Sequence, residues 1–287
     1  MREYCLFTDS GCDLTDELIE KCGISVIELE AFVDDKPYKL GESGTIKDFY
    51  DMLRNKSGSK TSAVNFDTIE GRFEEVLKQD KDILYIGFSS GLSATTQNAM
   101  IAANELSEKY PDNKIYIVDT LAASLGQGML VYLAAMKKDR GADIDEVRNY
   151  LESIKLKLAH WFTVDDLFFL KRGGRVSATT ALIGTALGIK PVLHVDDNGK
   201  LISMSKTRGR KNSIDALFDR MKETAVPGEN DTVFISHGDC HEDAQYLAER
   251  VKNELGVKEV IIGYVGPVIG AHSGPGTLAL FFIADKR

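Results

Sequence analysis

The sequence predicts an α/β protein in two parts. An N-terminal unit over residues 1–155 carries a parallel sheet in three layers, and a C-terminal α/β unit over 156–287 carries a mixed sheet. Three observations lead there. In the first half, short β-branched runs alternate with amphipathic stretches, and that alternation puts helices on both faces of a parallel sheet. Past about residue 150 the pattern gives way to a hairpin signal and to two apolar runs close together near the C-terminus. At 287 residues the chain is also long for one hydrophobic core and comfortable for two.

The elements follow in order. Strands are expected at 4–9, 26–32, 82–89 and 114–119, and helices at 15–22, 45–55, 66–79, 93–109 and 124–138. Gly23 and Gly141 stand where a helix closes on a left-handed residue. A helix over 143–158 leads through HWFTV into a KRGGR loop, then a helix of small residues at 179–188. The segment 190–207 reads as a hairpin turning at Asp197-Asn198-Gly199. A helix at 210–224, a strand at 232–236, a helix at 241–255 and final strands at 260–266 and 277–284 complete the chain. The boundary between the units is expected near 140–160, and NKSGSKTS (55–62) reads as an adaptable loop.

Composition narrows the function classes. The formal charge is −9 and the pI about 5.2, so no general field draws the chain to nucleic acid or to an anionic membrane. Two basic spots remain, at Lys171, Arg172 and Arg175 and at Lys206, Arg208, Arg210 and Lys211. The opening MREYCLFTDS turns polar too early for a secretory leader, and no apolar run reaches the ~20 residues of a membrane span. Cys5, Cys12, Cys22 and Cys240 have no metal or CxxC spacing, and reduced thiols in a cytoplasmic protein are expected.

Ligands of parallel sheets collect at the carboxyl ends of the strands. Thr8-Asp9-Ser10, Ser89 to Ser93 and Asp119-Thr120 all fall at such ends, so three polar clusters meet at one rim. The segment GPVIGAHSGPGTLALFF (266–282) sets one titratable ring, His272, among glycines and between apolar runs. That suits an apolar ligand with one polar end, although a structural hydrogen bond from His272 fits the same residues. Ser93, Thr95 or a neighbour can cap the helix that follows, and its first turn attracts an anion. Thr61 and Ser62 in KTS offer adjacent hydroxyls, which turn chemistry alone also explains. Arg172 in KRGGR presents a planar fork for a carboxylate or phosphate, or for an inter-domain ion pair, with Arg175 as the second choice. Phe162, Phe168, Phe169, Ile189 and Phe281, with Leu182 and Ile183, are candidates for an apolar tunnel as well as for plain core.

Other chemistries find less support. No Walker A motif accompanies Asp9, Asp13 and Asp119, so a nucleotide–magnesium site lacks its lysine. His237 and His241 lie in a turn without a third metal ligand, and Asp239 or His241 is expected to cap the helix there.

The segments FTDSGCDLT (7–15), KTSAVN (60–65), GFSSGLSATTQNA (87–99), VDTLAASLGQG (118–128) and the run from Phe169 to Leu193, followed by the His272 segment, resemble the DegV family in order and spacing. The resemblance implies a two-domain DegV-like fold with a long-chain fatty acid bound at the domain interface. It implies Thr61, Ser62, Ser93 and His272, with Arg172, as contacts of the carboxylate. Ala63-Val64-Asn65 departs from the Gln or Pro that often continues the KTS motif, which leaves Thr61 and Ser62 as alternatives. By the same resemblance the protein presents the carboxylate to a separate fatty acid kinase, and the acyl phosphate feeds phospholipid synthesis. No cofactor, metal or catalytic residue is then required, and a transient membrane contact is compatible with such a role. Two enzymatic alternatives stay open: a hydroxyketone-kinase-like phosphotransferase, and a hydrolase built on Ser93 and His272.

Overall fold

The computed structural model describes residues 2–177 and 188–287. The small-residue helix expected over 179–188, with Leu182 and Ile183, lies outside the described residues except for Gly188.

Four strands make the first sheet: β1 (Tyr4–Asp9), β2 (Ile24–Ile27), β6 (Asp82–Gly87) and β7 (Ile115–Asp119), all parallel, in the order β2-β1-β6-β7. The central strand β6 is buried along its whole length, as a parallel strand covered on both faces must be. On one face α3 (Phe66–Leu77) and α4 (Thr95–Lys109) pack over Phe7, Ile83 and Tyr85. On the other, α5 (Leu125–Asp139) and α6 (Ile144–Ile154) pack over Leu6, Leu84 and Ile86. These are the three layers predicted. Between β1 and β2, a 3-10 turn (Ser10–Cys12) and α1 (Asp16–Lys21) make the crossover, and Gly23 (φ 59°) closes α1 as expected. Gly141 (φ 88°) likewise follows α5.

The run expected as one strand at 26–32 divides. β2 ends at Ile27, and β3 (Glu30–Val33) starts a second, three-stranded sheet with β4 (Lys36–Pro37) and β5 (Ser59–Ser62) in the order β4-β3-β5. The segment read as an adaptable loop at 55–62 therefore ends in a strand, β5, whose Thr61 pairs with Ala31. Between them α2 (Ile46–Arg54) starts on a capping box from Thr45 and Asp48.

The C-terminal sheet is mixed, in the order β10-β9-β8-β13-β11-β12: β8 (Leu158–Thr163), β9 (Ile189–Val195), β10 (Leu201–Arg208), β11 (Thr232–His237), β12 (Glu259–Tyr264) and β13 (Leu278–Ile283). Only β11 and β12 run parallel; the other pairs are antiparallel. β9 and β10 form the expected hairpin, with the Asp196 carboxylate accepting from the N–H of Asn198 (3.0 Å) and of Lys200 (2.9 Å). α7 (Leu167–Arg172) follows β8. α8 (Arg210–Thr224) and α9 (His241–Leu255) cover one face of this sheet. The N-cap of α9 is Cys240, which makes no side-chain cap, rather than Asp239 or His241.

The other face of the mixed sheet packs on α5. One apolar cluster runs from Leu6 and Leu84 through Leu130 and Val131 to Phe162, Phe234 and Phe281. The two sheets thus share a core, and α5 is its common layer.

Arg287 ties this arrangement together. Its half-buried guanidinium donates to the carbonyls of Lys155 (2.6 Å), Leu158 (3.1 Å), Leu121 (2.8 Å) and Asp196 (3.3 Å), and burial pulls its pKa down to about 10. Removing the donor leaves several carbonyls short of a partner. Arg287→Ala is expected to cost roughly 3 kcal/mol in urea unfolding, and Arg287→Lys to recover only part, since one ammonium nitrogen cannot reach carbonyls spread around three nitrogens of a planar fork. An unchanged urea midpoint for Arg287→Ala would show that these bonds contribute nothing.

Candidate functional site

A cavity of about 300 Å³ lies between the carboxyl rim of the parallel sheet and the face of the mixed sheet beside α5. Its walls are mainly apolar, among them Leu29, Phe88, Phe162, Val195, Ile269 and Phe281. At one end stand Thr61, Ser93, Arg175, His272 and Ser273.

The glycines around His272 do not make an open loop. His272 sits in a short helix, α10 (Pro267–Ser273), which starts with Pro267 in its first turn and ends at Gly274, φ 77°. Three groups fix that helix. Gly270 packs so closely on α2 that a Cβ there would meet the Tyr50 hydroxyl at 2.7 Å. Ser59 Oγ donates to the Ala271 carbonyl (2.8 Å). The Asp13 carboxylate accepts from the Gly266 N–H (3.0 Å). The imidazole Nε2 then bonds Thr61 Oγ1 at 2.8 Å, joining β5 to α10. Among the described residues Nδ1 has no partner, and it abuts Gly173, where any side chain would strike the ring. That is the steric reason for a glycine inside KRGGR.

Burial lowers the His272 pKa to about 4, and the charges of Arg175 and Arg172 push the same way. The ring is therefore neutral near pH 7. Ser273 Oγ beside it is also buried without a partner.

Ser93 sits just ahead of α4. Its hydroxyl bonds Thr95 Oγ1 (3.0 Å) and accepts from the Thr95 N–H (3.2 Å). The N-cap itself is Ala94, and no side chain caps the helix, so the capping role expected of Ser93 or Thr95 is not taken up. Ser93 bonds Thr95 and His272 bonds Thr61, so no Ser93–His272 hydrogen bond is formed.

The two arginines exchange the roles expected of them. Arg172 is exposed, donates to Ser59 Oγ (2.8 Å) and lies 5.0 Å from the Phe169 ring centre; it does not line the cavity. Arg175 does line it, half-buried, donating to the carbonyls of Leu92 (3.0 Å) and Gly173. Among the described residues no carboxylate pairs with it, and burial lowers its pKa. The short α7 ends at Arg172, and the turn after it swings Arg175 inward. Of the two KTS hydroxyls, Thr61 faces the cavity and Ser62 does not, because alternate residues of β5 point to opposite sides. Phe162 and Phe281 line the cavity, whereas Phe168 is exposed and Phe169 packs beside α2 and α10.

The rim carboxylates are engaged by the protein itself. Asp9 accepts from the Tyr85 hydroxyl (2.6 Å) and the Phe88 N–H (2.9 Å). Asp119 accepts from the N–H groups of Ser90 (3.2 Å) and Leu121 (3.1 Å). Asp13 accepts from Ser124 Oγ (2.5 Å), and Ser124 is in turn 3.0 Å from Ser236 Oγ. His237 and His241 approach each other at 3.4 Å, and among the described residues no group of three potential ligands gathers for a metal. No local sequence signal marks the Ser124–Ser236 pair or buried His160, which also line the cavity.

Buried histidines make the fold sensitive to acid. Burial lowers the pKa of His194, His237 and His272 to about 4, and takes His160 well below its usual value. Their unfolded forms bind protons near pH 6.5, so stability present above that pH falls as pH drops toward 4. Asp13 opposes this: burial raises it to about 7, so the folded state takes up its proton first. The urea midpoint should fall between pH 6.5 and 4.5, and more steeply in Asp13→Asn. A midpoint that stays level or rises on acidification would contradict this reading.

Comparison with known proteins identifies the family. The model of the DegV family, described as uncharacterised protein, DegV family, matches residues 4–285. A DegV domain-containing protein of Clostridium perfringens (strain 13 / Type A) is 46% identical over 289 residues, covering 100% of this chain and 99% of the relative. A fatty-acid-binding DegV family protein from Thermus thermophilus has the same fold, with a TM-score of 0.88 and 29% identity over 99% of this chain and 100% of that one. A fatty-acid-binding DegV family protein from Streptococcus agalactiae superposes with a TM-score of 0.86 and 29% identity over 100% of both chains. With a family match over nearly its whole length and a close relative of equal extent, the chain belongs to the DegV family.

Proposed function

We propose that this protein binds one long-chain fatty acid in the cavity. The carboxylate lies against Thr61, Ser93, Arg175 and His272, and the acyl chain lies along the apolar walls. The observation that carries this reading is the cavity's polarity. It is apolar over most of its length, and at one end it gathers the Arg175 guanidinium, which has no carboxylate partner among the described residues, with buried His272 Nδ1 and Ser273 Oγ, which have no hydrogen-bond partner there. Such a site calls for a long apolar ligand with an anionic end. The fatty acid binding stated for the Thermus thermophilus and Streptococcus agalactiae proteins supports it.

Burial of the chain supplies the affinity. At about 0.8 kcal/mol per methylene, a sixteen-carbon tail brings roughly 10 kcal/mol before ordering costs. The polar end orients the ligand. A separate, ATP-dependent fatty acid kinase would transfer a phosphoryl group to a carboxylate oxygen, and the acyl phosphate would stay bound for phospholipid synthesis. Leu92, Arg175 and Leu201 line both this cavity and a neighbouring pocket, which supports access to that end. In this role the chain works in the cytoplasm without a cofactor and is a carrier, not an enzyme.

Protein purified from cells is expected to carry fatty acid, seen by native mass spectrometry as a mass increment and after denaturing extraction as palmitate-like acids. Protein that is repeatedly lipid-free and also fails to bind added palmitate would end this reading.

A further inference from the structure

Asp13 ends the 3-10 turn after β1 in a left-handed conformation, φ 54°. One carboxylate oxygen accepts from the Gly266 N–H (3.0 Å), where α10 begins, and the other from Ser124 Oγ (2.5 Å), just ahead of α5. Ser124 Oγ is 3.0 Å from Ser236 Oγ on β11, and both serines line the cavity. One carboxylate thus joins the parallel sheet, α5, the mixed sheet and α10 along one side of the cavity. The Tyr50 hydroxyl of α2 donates to the Val265 carbonyl (2.7 Å), next to Gly266. Val265, Val268 and Ile269 on this segment line the cavity too, so movement of the start of α10 opens it.

Two features make this joint costly to keep closed. No lysine, arginine or histidine pairs with Asp13 among the described residues, and the one charge acting on it, Asp9, has the same sign. Ser124 stands at φ 55°, ψ −147°, a region that residues with a Cβ rarely enter. Its hydroxyl contacts to Asp13 and Ser236, with its N–H donating to the Gly11 carbonyl (2.8 Å), hold it there. A carboxylate without a counter-charge gains hydration when the joint parts, and Ser124 relaxes in the same movement.

We infer that this joint is where the cavity opens for a fatty acid to enter and leave, and that the charge on Asp13 sets how readily it opens. The inference rests on the fatty-acid reading above and adds pH control of exchange to it. In the closed form burial raises the Asp13 pKa to about 7, whereas open and hydrated the group returns toward about 3.9. The closed form therefore holds the proton more tightly. Protonation below pH 7 keeps the joint shut, and opening becomes easier as pH rises through 7. Of the groups around Asp13, most keep their charge over that range. Burial lifts Cys12, beside it, and Tyr50, on α2, well above their ordinary values, and lowers His237 on β11 and His272 on α10 to about 4. α5 and β12 bring Leu125 and Gly263, which carry no charge. Asp9 on β1 is also raised by burial, and the Asp13 variant below separates its titration from that of Asp13.

The test follows release of cis-parinarate, a fatty acid that fluoresces when bound, chased by excess palmitate at about pH 6, 7 and 8. Release from the whole protein should speed up about tenfold across that range. Asp13→Asn keeps an acceptor of similar shape without the charge, so it should release slowly at every pH. Comparing the two proteins at each pH cancels the ionisation of the probe itself. Ser124→Ala removes a donor that holds the Asp13 pKa down, so its profile should move to higher pH, and it decides the matter if Asp13→Asn does not fold. A wild-type rate that stays level or falls with pH, the same rise in Asp13→Asn, or an unmoved profile in Ser124→Ala overturns the inference while parinarate binding still stands. Failure of parinarate and palmitate to bind overturns the fatty-acid reading and this inference with it.

Discussion

Ala279→Trp is expected to abolish high-affinity binding of long-chain fatty acids while leaving short ones bound. Ala279 is 6% exposed, lines the cavity from β13, and pairs with Phe162 on one side and Ser236 on the other. An indole at that position takes up space meant for the tail. If it excludes about five methylenes at ~0.8 kcal/mol each, it removes about 4 kcal/mol, or roughly a thousandfold in Kd. Overfilling a packed wall also costs about 1–3 kcal/mol of stability, so Ala279→Leu serves as a milder companion with a smaller shift. Binding isotherms for a ladder of saturated acids decide the matter. The optimum should move to shorter chains in both variants. If palmitate binds Ala279→Trp with undiminished affinity and the ladder keeps its shape, the tail does not lie in this cavity.

Arg175→Gln should weaken palmitate binding strongly, and Arg172→Gln should hardly change it. A carboxylate held at the cavity's polar end loses its opposite charge in the first variant. Truncating one partner of a buried charge pair typically costs about 2–5 kcal/mol, roughly thirtyfold to several thousandfold. Arg172 is exposed and already bonded to Ser59, so a several-fold effect at most is expected there. Ligand-free stability moves the other way. A half-buried guanidinium with no carboxylate partner among the described residues is costly, so ligand-free Arg175→Gln should be at least as stable as the parent. The pKa of His272, which Arg175 helps to depress, should rise in this variant by NMR titration. Equal losses in the two arginine variants would move the carboxylate out of the cavity and toward the rim.

Much of the fold was legible because it rests on local signals. Continuous apolar runs such as DILYIG mark strands buried on both faces, and the alternation with helices gave the parallel sheet. Gly23, Gly141 and Asp197-Asn198-Gly199 marked the ends of helices and the hairpin, because a positive φ or a tight turn needs those residue types. The division of the 26–32 run between two sheets was not legible. VIELEAF alternates apolar and polar residues from Ile27 to Ala31 without a break, and the separation of Ile27 from Glu30 depends on which neighbours they pair with. The same holds for Ser59–Ser62, a polar and unremarkable run that becomes a strand only because β3 lies beside it.

The sequence by itself determined the type of protein: an acidic α/β chain with a parallel sheet followed by a mixed one, and with Thr61, Ser93 and His272 among the polar groups set beside apolar runs. Each of those three is found at one end of one cavity. Only the tertiary structure decided which neighbours join them. Thr61 rather than Ser62 faces inward because strand side chains alternate. Arg175 rather than Arg172 lines the cavity because α7 stops at Arg172 and the glycine turn reverses the chain against His272. His160 and Ser236 reach the same wall from strands 76 residues apart, numbered 160 and 236. Pairing between residues so far apart is set by how the sheets pack, and no local pattern in the sequence encodes it.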